Sequence, residues 1–215
     1  MDSLFRNFDL QAFILTIGVL IIAITIHEFS HAITADKLGD PTPRGQGRIS
    51  LLPPDHLDPL GTIMMVITTI TGFGIGWGKP VMTNPRNFAH PRIDGGKVAI
   101  AGPISNILQA LVFALLYRLT FSMVLGSPIG FFMRTGVAVN LALAFFNMIP
   151  IGPLDGHWVI QAVLPSEQAA RYQDWNRAYG GIVFFGAVIM APGLISSLIM
   201  PAVLAIYRPL MSGLF

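Results

Sequence analysis

Residues 10–31 of the chain read LQAFILTIGVLIIAITIHEFSH. Residues 10–26 are apolar apart from Gln11 and two threonines, and they run directly into a cluster of ionisable residues. A helix needs about 20 apolar residues to cross a hydrocarbon core of roughly 30 Å. The stretch is too long for the apolar part of a signal peptide, and no small-residue cleavage site follows it. We therefore predict a retained transmembrane helix that leads into a polar cluster.

The composition of the whole chain also indicates a membrane protein. Hydrophobic residues make up 53% of the 215 residues and charged residues 11%, whereas soluble domains carry about 25% charged residues. A soluble enzyme and a disordered chain are therefore excluded. The net charge is +2, and the 13 Lys and Arg residues stand singly, which does not favour a nucleic-acid partner. Because the chain has no cysteine, disulfides and thiolate metal ligands are excluded.

Three further apolar segments, 98–125, 131–149 and 182–207, predict membrane spans, the first interrupted at Gly102-Pro103. Segment 61–78 is ambiguous because its glycine-rich second half is a poor helix former. Ser166 is a candidate N-cap for a short interfacial helix that ends near residue 180.

These segments predict an all-α polytopic membrane protein with about four transmembrane helices. We expect a single domain over residues 1–215. Its core comprises residues 10–164, and the interfacial helix and the last span follow in residues 165–215.

The first span carries the pattern H-E-x-x-H, formed by His27, Glu28 and His31. Histidines four apart differ by about 40° around a helix and by about 6 Å along it, so both imidazoles can reach one ion. Imidazole is a common zinc ligand, and the glutamate can accept a proton from metal-bound water. Three ionisable groups at the edge of a bilayer core are costly unless they have a function. The pattern therefore predicts a metal site.

A catalytic zinc usually has a third protein ligand, and Asp155 is the strongest candidate. The segment 147–156 reads NMIPIGPLDG, in which Pro150 and the second proline must end the third span. The irregular backbone that follows is tolerated at membrane depth only where it is buried or lines a wet cavity. The alternative role for Asp155 is that of an N-cap for the stretch that begins at Gly156. The remaining candidates for the third ligand are the other acidic residues and histidines, chiefly Glu167, His56, His90 and His157.

With these motifs the sequence resembles the site-2 protease family of intramembrane zinc metallopeptidases, in particular a compact bacterial branch. The family signature is H-E-x-x-H on one membrane helix and N-x-x-P followed by Asp-Gly on another. Both are present, at 27–31 and at 147–150 with 155–156. Further similar stretches are HLDPLG at 56–61, WGKPV at 77–81 with NPRNF at 84–88, and AGPISN at 101–106. The match covers residues 21–159. His157 departs from it, since the family often has a small residue there.

The resemblance implies an intramembrane zinc metalloprotease with one Zn²⁺ per chain, held by His27, His31 and Asp155. It implies hydrolysis of a peptide bond in or near the transmembrane segment of a membrane-protein substrate. Zinc-activated water is the nucleophile and Glu28 the general base. The expected location is a bacterial plasma membrane. Besides the substrate, the expected partners are the lipid bilayer and any regulatory protein that acts in trans. The alternative is a non-hydrolytic membrane metal-binding or transport protein, which needs no general base.

Further roles are expected for two asparagines and for one glycine-rich segment. Asn106 either hydrogen-bonds the oxyanion or substrate backbone as a catalytic residue, or repairs the helix broken at Gly102-Pro103. Asn147 bonds the backbone that Pro150 leaves free, and so sets the approach of Asp155. The glycine-rich stretch 72–78 either offers an edge against which an extended substrate can dock or forms a simple turn at the tip of a re-entrant loop.

The topology follows from the expected metal ligands. For His27 and Asp155 to meet, the first and third spans must run parallel, which requires a single crossing between them and a re-entrant segment 61–78. That arrangement puts nine basic residues on one side and three on the other: Lys37, Arg44, Arg48, Lys79, Arg86, Arg92, Lys97, Arg171 and Arg177 against Arg6, Arg134 and Arg208. The positive-inside rule then places the metal near the cytoplasmic face. With a fifth span the division is seven to five.

Overall fold

The structure, a computed structural model, describes residues 8–72 and 74–212. Over these residues the chain forms ten α-helices: α1 (Leu10–Lys37), α2 (Thr42–Gly45), α3 (Pro53–His56), α4 (Pro59–Thr71), α5 (Pro91–Val124), α6 (Pro128–Asn147), α7 (Gly156–Val163), α8 (Ser166–Trp175), α9 (Gly181–Met190) and α10 (Pro192–Ser212). A 3₁₀ turn covers Pro85–Asn87, and a π-helical turn covers Asn176–Gly180.

Four of these helices are long and apolar enough to cross a membrane: α1, α5, α6 and the Gly193–Ser212 part of α10. The expected fold class, an all-α polytopic membrane protein, is thereby confirmed. The last predicted span, 182–207, is two helices. α9 ends at Met190 and α10 begins at Pro192, a residue that is favourable in the first turn of a helix.

Helix α1 places the H-E-x-x-H pattern inside a regular helix. Its N-cap is Asp9, whose carboxylate accepts a hydrogen bond from the Ala12 amide at 3.0 Å, and the helix runs for 28 residues from Leu10 to Lys37. At 1.5 Å per residue the helix is about 42 Å long, longer than a hydrocarbon core. The apolar pattern predicted only its first part, because hydropathy marks the portion in lipid and not the end of the helix.

Helix α5 runs without a break through Pro103, so the expected interruption at this proline is wrong. A proline deprives the carbonyl four residues earlier of its intrahelical donor. Neighbouring helices stabilise such a turn inside a membrane bundle. Here the imidazole of His31 donates to the carbonyl of Val98, one residue before the affected carbonyl of Ala99.

The segment between α1 and α5 begins and ends at the same end of the helix bundle. α4 has 13 residues and is about 20 Å long, too short to span. It ends at Gly72, whose φ of +70° is left-handed, and Phe73 lies outside the described residues. The chain then returns to its starting point, since Leu57 and Gly78 form an antiparallel bridge and the Lys79 amide donates to His56 at 2.8 Å. The segment is therefore re-entrant.

The bundle core lies where α5, α6 and α10 meet. Its buried residues are mostly small or branched: Ala110, Ala114, Val137, Leu141 and Val203. Small side chains let membrane helices approach closely, where packing is the main attraction between them. The short helix expected after residue 165 is α8. Ser166 is its first residue and not its N-cap, and it makes no capping hydrogen bond.

Candidate metal centre

The two histidines of α1 present the same ring nitrogen to one point. His27 Nδ1 lies 2.6 Å from Asn106 Oδ1, and His31 Nδ1 lies 2.7 Å from the carbonyl oxygen of Val98. Both partners only accept hydrogen bonds, so each Nδ1 carries the proton and each Nε2 keeps its lone pair. The two Nε2 atoms are 3.0 Å apart. Lone pairs that converge at this distance repel each other unless a cation lies between them.

Asp155 completes the group from the segment that follows α6. Its Oδ2 lies 3.2 Å from His27 Nε2 and 3.3 Å from His31 Nε2. Although Asp155 directly precedes α7, its side chain makes no capping hydrogen bond, so the N-cap alternative does not describe it. Oδ2 is buried and has no hydrogen-bond donor. A buried carboxylate oxygen without a donor is costly in a protein interior, and a metal ion would satisfy it.

These three residues fit a zinc ion. Among the described residues they form a group whose ligand atoms all lie within 4.8 Å of one another. Two imidazoles and a carboxylate are a common donor set for catalytic zinc, in which three protein ligands leave one position open. Gly102 of α5 makes the room. A Cβ on this glycine would lie 2.6 Å from His27 Nε2 and closer still to His31 Nε2.

The backbone around Asp155 is held from two directions. A Cβ on Gly156 would collide with the carbonyl oxygens of Met148 and Ile149, so this position requires a glycine. From the C-terminal side, the Tyr172 hydroxyl donates to the carbonyl of Pro150 at 2.8 Å, and the Gly152 amide donates to Asn176 Oδ1 at 2.8 Å. Sequence patterns gave no signal for these two supports, which come from residues 22 and 24 positions away.

The Asn147 amide nitrogen donates to the carbonyl of Leu143, one turn back in its own helix, at 3.0 Å. Pro150 leaves the carbonyl of Phe146 without its helical donor, and we expected Asn147 to bond it. That carbonyl accepts from the Ile149 amide instead, so this expectation is wrong. Asn147 thus ends α6 and does not contact Asp155.

Asn106 is fully buried and uses both ends of its amide inside the protein. Its oxygen accepts from His27, and its nitrogen donates to Asn140 Oδ1 at 2.9 Å and, at 3.4 Å, to the carbonyl of Ala23. Asn140 in turn donates to the carbonyl of Gly136 at 2.9 Å. These contacts match neither of the two expected roles of Asn106, since its amide has no donor left over for an oxyanion and does not bond the backbone of α5. Asn140 was missed from the sequence, where an uncharged amide in an apolar helix was the only signal.

Glu28 follows His27 but lies on another face of α1, because consecutive helical residues differ by about 100°. Its side chain is 12% exposed, and Oε2 lies 3.6 Å from Arg48 Nη2. The returning end of the re-entrant segment passes beside it. A Cβ on Gly78 would lie 3.2 Å from Glu28 Oε1. The carboxylate thus stands between α1 and an irregular segment.

The other candidate ligands lie outside this group. His157 Nδ1 is 2.6 Å from the carbonyl oxygen of Leu154, and its ring packs on Trp158. His56 is fully buried, and its Nε2 is 2.6 Å from the carbonyl oxygen of Ser50. Burial lowers the pKa of His56, and the nearby Arg48 acts in the same direction.

A largely apolar cavity of about 400 Å³ lies beside the re-entrant segment. Its walls come from α1, α4, segment 74–76, α6 and the two last helices. Ile24, one turn before Glu28, is part of the wall, and so is Met65 of α4. A cavity of this size accommodates several apolar side chains.

The chain is similar to three bacterial and archaeal proteins that carry the provisional name zinc metalloprotease. It is 38% identical over 171 residues to YwhC of Bacillus subtilis, covering 77% of this chain and 75% of that protein. It is 28% identical over 188 residues to Rip2 of Mycobacterium tuberculosis (85% and 69%). It is 29% identical over 157 residues to a protein of Methanocaldococcus jannaschii (73% and 74%). No family model and no solved structure matches the chain.

Proposed function

Since the chain belongs to the site-2 protease family of zinc metalloproteases, we propose that it cleaves membrane proteins within or near their own transmembrane segments. The observation that carries the proposal is where the metal ligands lie. His27 and His31 are on α1, and Asp155 directly follows α6. Both helices are membrane spans, so a substrate bond has to reach a site inside the bundle.

His27, His31 and Asp155 would hold the zinc ion, which would supply Lewis acidity and so allow water to act as a nucleophile near neutral pH. The protein's own residues do the rest. The hydrogen bonds that the two imidazoles donate to Asn106 Oδ1 and to the carbonyl of Val98 fix their tautomer and orientation. The Glu28 carboxylate accepts the proton of the attacking water and passes it to the leaving amine.

The substrate has to unwind locally, because a peptide bond in a helix is shielded by its neighbours. The returning end of the re-entrant segment supports a docking place for an extended chain. Gly78 pairs with Leu57 on one edge, and an extended substrate would add to the other edge by backbone hydrogen bonds. Within the expected stretch 72–78, Phe73 lies outside the described residues. The cavity of about 400 Å³ next to this segment would accept apolar substrate side chains.

The test uses wild-type protein in bicelles with reporter peptides that each contain one transmembrane helix between a fluorophore and a quencher. We expect cleavage inside the helix, located by mass spectrometry. The Glu28→Gln variant should lose about 10²–10⁴-fold in turnover and keep about one zinc per chain. The matched control is Glu167→Gln, which alters the only other glutamate of the sequence, an exposed residue of α8.

The same experiment distinguishes the alternatives. The Asp155→Ala variant should lose both zinc and cleavage. Zinc-loaded wild type that cleaves none of the reporters would favour the metal-binding or transport alternative. Cleavage only in water-exposed flanking sequences would overturn the intramembrane part of the proposal and leave a metalloprotease.

We further propose that the site faces the cytoplasm across a bacterial plasma membrane. The basic residues of segments 37–97 and 171–177 support this orientation by the positive-inside rule, although Arg6 on the opposite side lies outside the described residues. The chain lacks cysteine, so single cysteines can be introduced at the exposed Arg44 and Arg86. In spheroplasts, a membrane-impermeant thiol reagent should label them only after the membrane has been permeabilised. Labelling from the outer side would reverse the orientation.

A further inference from the structure

Arg48 is a buried cation beside the proposed general base. It lies in the loop between α2 and α3, and its side chain is 2% exposed. Arginine is almost never fully buried unless its charge is paired or hydrogen-bonded, because desolvation of the guanidinium is costly. The mechanism proposed above makes no use of this residue, so its burial requires an explanation.

The guanidinium of Arg48 connects two parts of the site. Nη1 donates to the carbonyl of Pro80 at 3.0 Å, and Nη2 donates to the carbonyl of Lys79. Nη2 also lies 3.6 Å from Glu28 Oε2, whereas Nε is buried without a partner. One side chain therefore links the carboxylate on α1 to the end of the re-entrant segment.

We propose that Arg48 is a positioning residue that holds the returning end of the re-entrant segment in place relative to Glu28. This inference rests on the proposed function, since it assigns Arg48 to the same reaction. The backbone at Gly78 adjoins the two carbonyls that Arg48 binds, and a substrate docked along that backbone takes its position from it. Arg48 thus sets the distance between the scissile bond and the general base.

The geometry explains why Arg48 does not immobilise Glu28. A bidentate arginine–carboxylate pair would occupy both carboxylate oxygens with two short hydrogen bonds. Here both terminal nitrogens serve backbone carbonyls, and the contact to Oε2 is longer than a hydrogen bond. Oε1 points instead toward Gly78. The carboxylate is held near its place and keeps one oxygen on the substrate side.

A lysine cannot reproduce this arrangement. Its single ammonium is a point charge on a flexible stem, whereas the planar guanidinium offers donors in a fixed fork. Arg48→Lys therefore keeps the charge and removes the simultaneous contacts to both carbonyls, and Arg48→Gln removes the charge as well. The matched control is Arg44→Gln, four residues earlier, which breaks an exposed bidentate pair with Asp36 (2.8 and 2.6 Å) away from the site.

The first measurement compares kcat, KM and zinc content of these variants with a fluorogenic transmembrane peptide that the wild type cleaves. We expect zinc content to stay at the wild-type level and kcat to fall about 10²-fold in Arg48→Gln, the size of effect that a displacement of about 1 Å produces. Arg48→Lys should recover part of the loss, and Arg44→Gln should match the wild type. A folded, zinc-loaded Arg48→Gln with wild-type kcat would overturn the proposal.

The second measurement needs no substrate and therefore separates this inference from the proposed function. A double-mutant cycle combines Arg48→Gln, which removes both the charge and the donors, with Glu28→Gln and reads the thermal unfolding midpoint of each variant. Residues that interact show non-additive effects, so the double variant should lose less than the sum of the two single losses. Additive losses would show that the two side chains are independent and would refute the inference, even if the protein cleaves membrane peptides. Where Arg48→Gln does not fold, the kcat and zinc content of Arg48→Lys carry the test, because lysine keeps the charge and loses the simultaneous contacts to both carbonyls.

Discussion

The histidine side of the metal centre is held by hydrogen bonds between membrane helices, whereas the Glu28 side rests on irregular segments. On the histidine side, His27, Asn106 and Asn140 connect α1, α5 and α6 through contacts of 2.6 and 2.9 Å. On the other side, Glu28 has a 3.6 Å contact to Arg48, and Arg48 Nε is buried without a partner.

The difference suggests a division of labour. Metal ligands have to keep a fixed geometry, and rigid helices with satisfied polar groups provide it. In the proposed mechanism, the general base and the substrate edge have to admit a peptide and release two products. Segments that are held by a few contacts to backbone carbonyls are better suited to such movement than packed helices. The following variants test this comparison, beginning with the largest expected effect.

Gly102→Ala should break the histidine side outright. The new Cβ would lie 2.6 Å from His27 Nε2 and would occupy the space in which the lone pairs converge. We expect near-complete loss of bound zinc, measured by elemental analysis of the purified protein, and loss of activity with it. Gly95→Ala in the same helix is the matched control, since nothing lies within 4 Å of its Cβ position. A zinc-loaded Gly102→Ala variant would mean that the imidazoles can move aside.

Asn106→Ala should weaken the same side without blocking it. The variant removes the acceptor that fixes His27 and leaves Asn140 without its donor. Loss of such a partner typically costs 10–100-fold in metal affinity, which competition with a chelator of known affinity would measure. Gln109→Ala serves as the control, since that amide lies one turn further along α5 and makes only a 3.5 Å contact to Ala23. Equal zinc affinity in the two variants would remove Asn106 from the metal centre.

His56→Gln, on the Glu28 side, should change how the stability of the protein depends on pH, while the zinc content stays unchanged. Because burial lowers the pKa of His56 in the folded protein, the neutral form is favoured there. The stability that depends on it is fully present above the unfolded pKa of about 6.5 and is lost as the pH falls further. Wild-type unfolding temperature should therefore drop between pH 7 and pH 5. The drop should be smaller in the variant.

Parallel unfolding curves of wild type and His56→Gln over this pH range would show that His56 does not titrate with unfolding. The variant also loses buried contacts, but that loss is constant with pH. The slope of the unfolding temperature against pH is thus the quantity that decides, and not its absolute value.

The sequence was sufficient for those features that have a local pattern. The spacing of His27 and His31 and the prolines before Asp155 predicted a group that the structure brings within 4.8 Å. The requirement that two spans run parallel predicted the re-entrant segment, which the bridge between Leu57 and Gly78 confirms. In each case the physical cause is short-range or topological, so it leaves a trace in one chain.

The features that were missed arise from packing between distant segments. Arg48 contacts Lys79 and Pro80, and no local pattern distinguishes it from the exposed Arg44. Gly102 was interpreted as a helix breaker, yet its missing side chain makes room for the two imidazoles. The partners of Asn106 could not be chosen from the sequence, because an amide can donate to a substrate or accept from a histidine equally well.

The placement of the three candidate zinc ligands would also couple metal supply to the assembly of the bundle. Two ligands lie on α1 and the third follows α6, so only the assembled helices present the complete set. A ligand that binds only the native state stabilises it, by about 4 kcal/mol when its free concentration is 1,000 times its Kd. Copies made under zinc starvation would therefore unfold more readily, and membrane quality-control proteases would remove them first. Zinc availability would then set the number of enzyme molecules as well as the activity of each one.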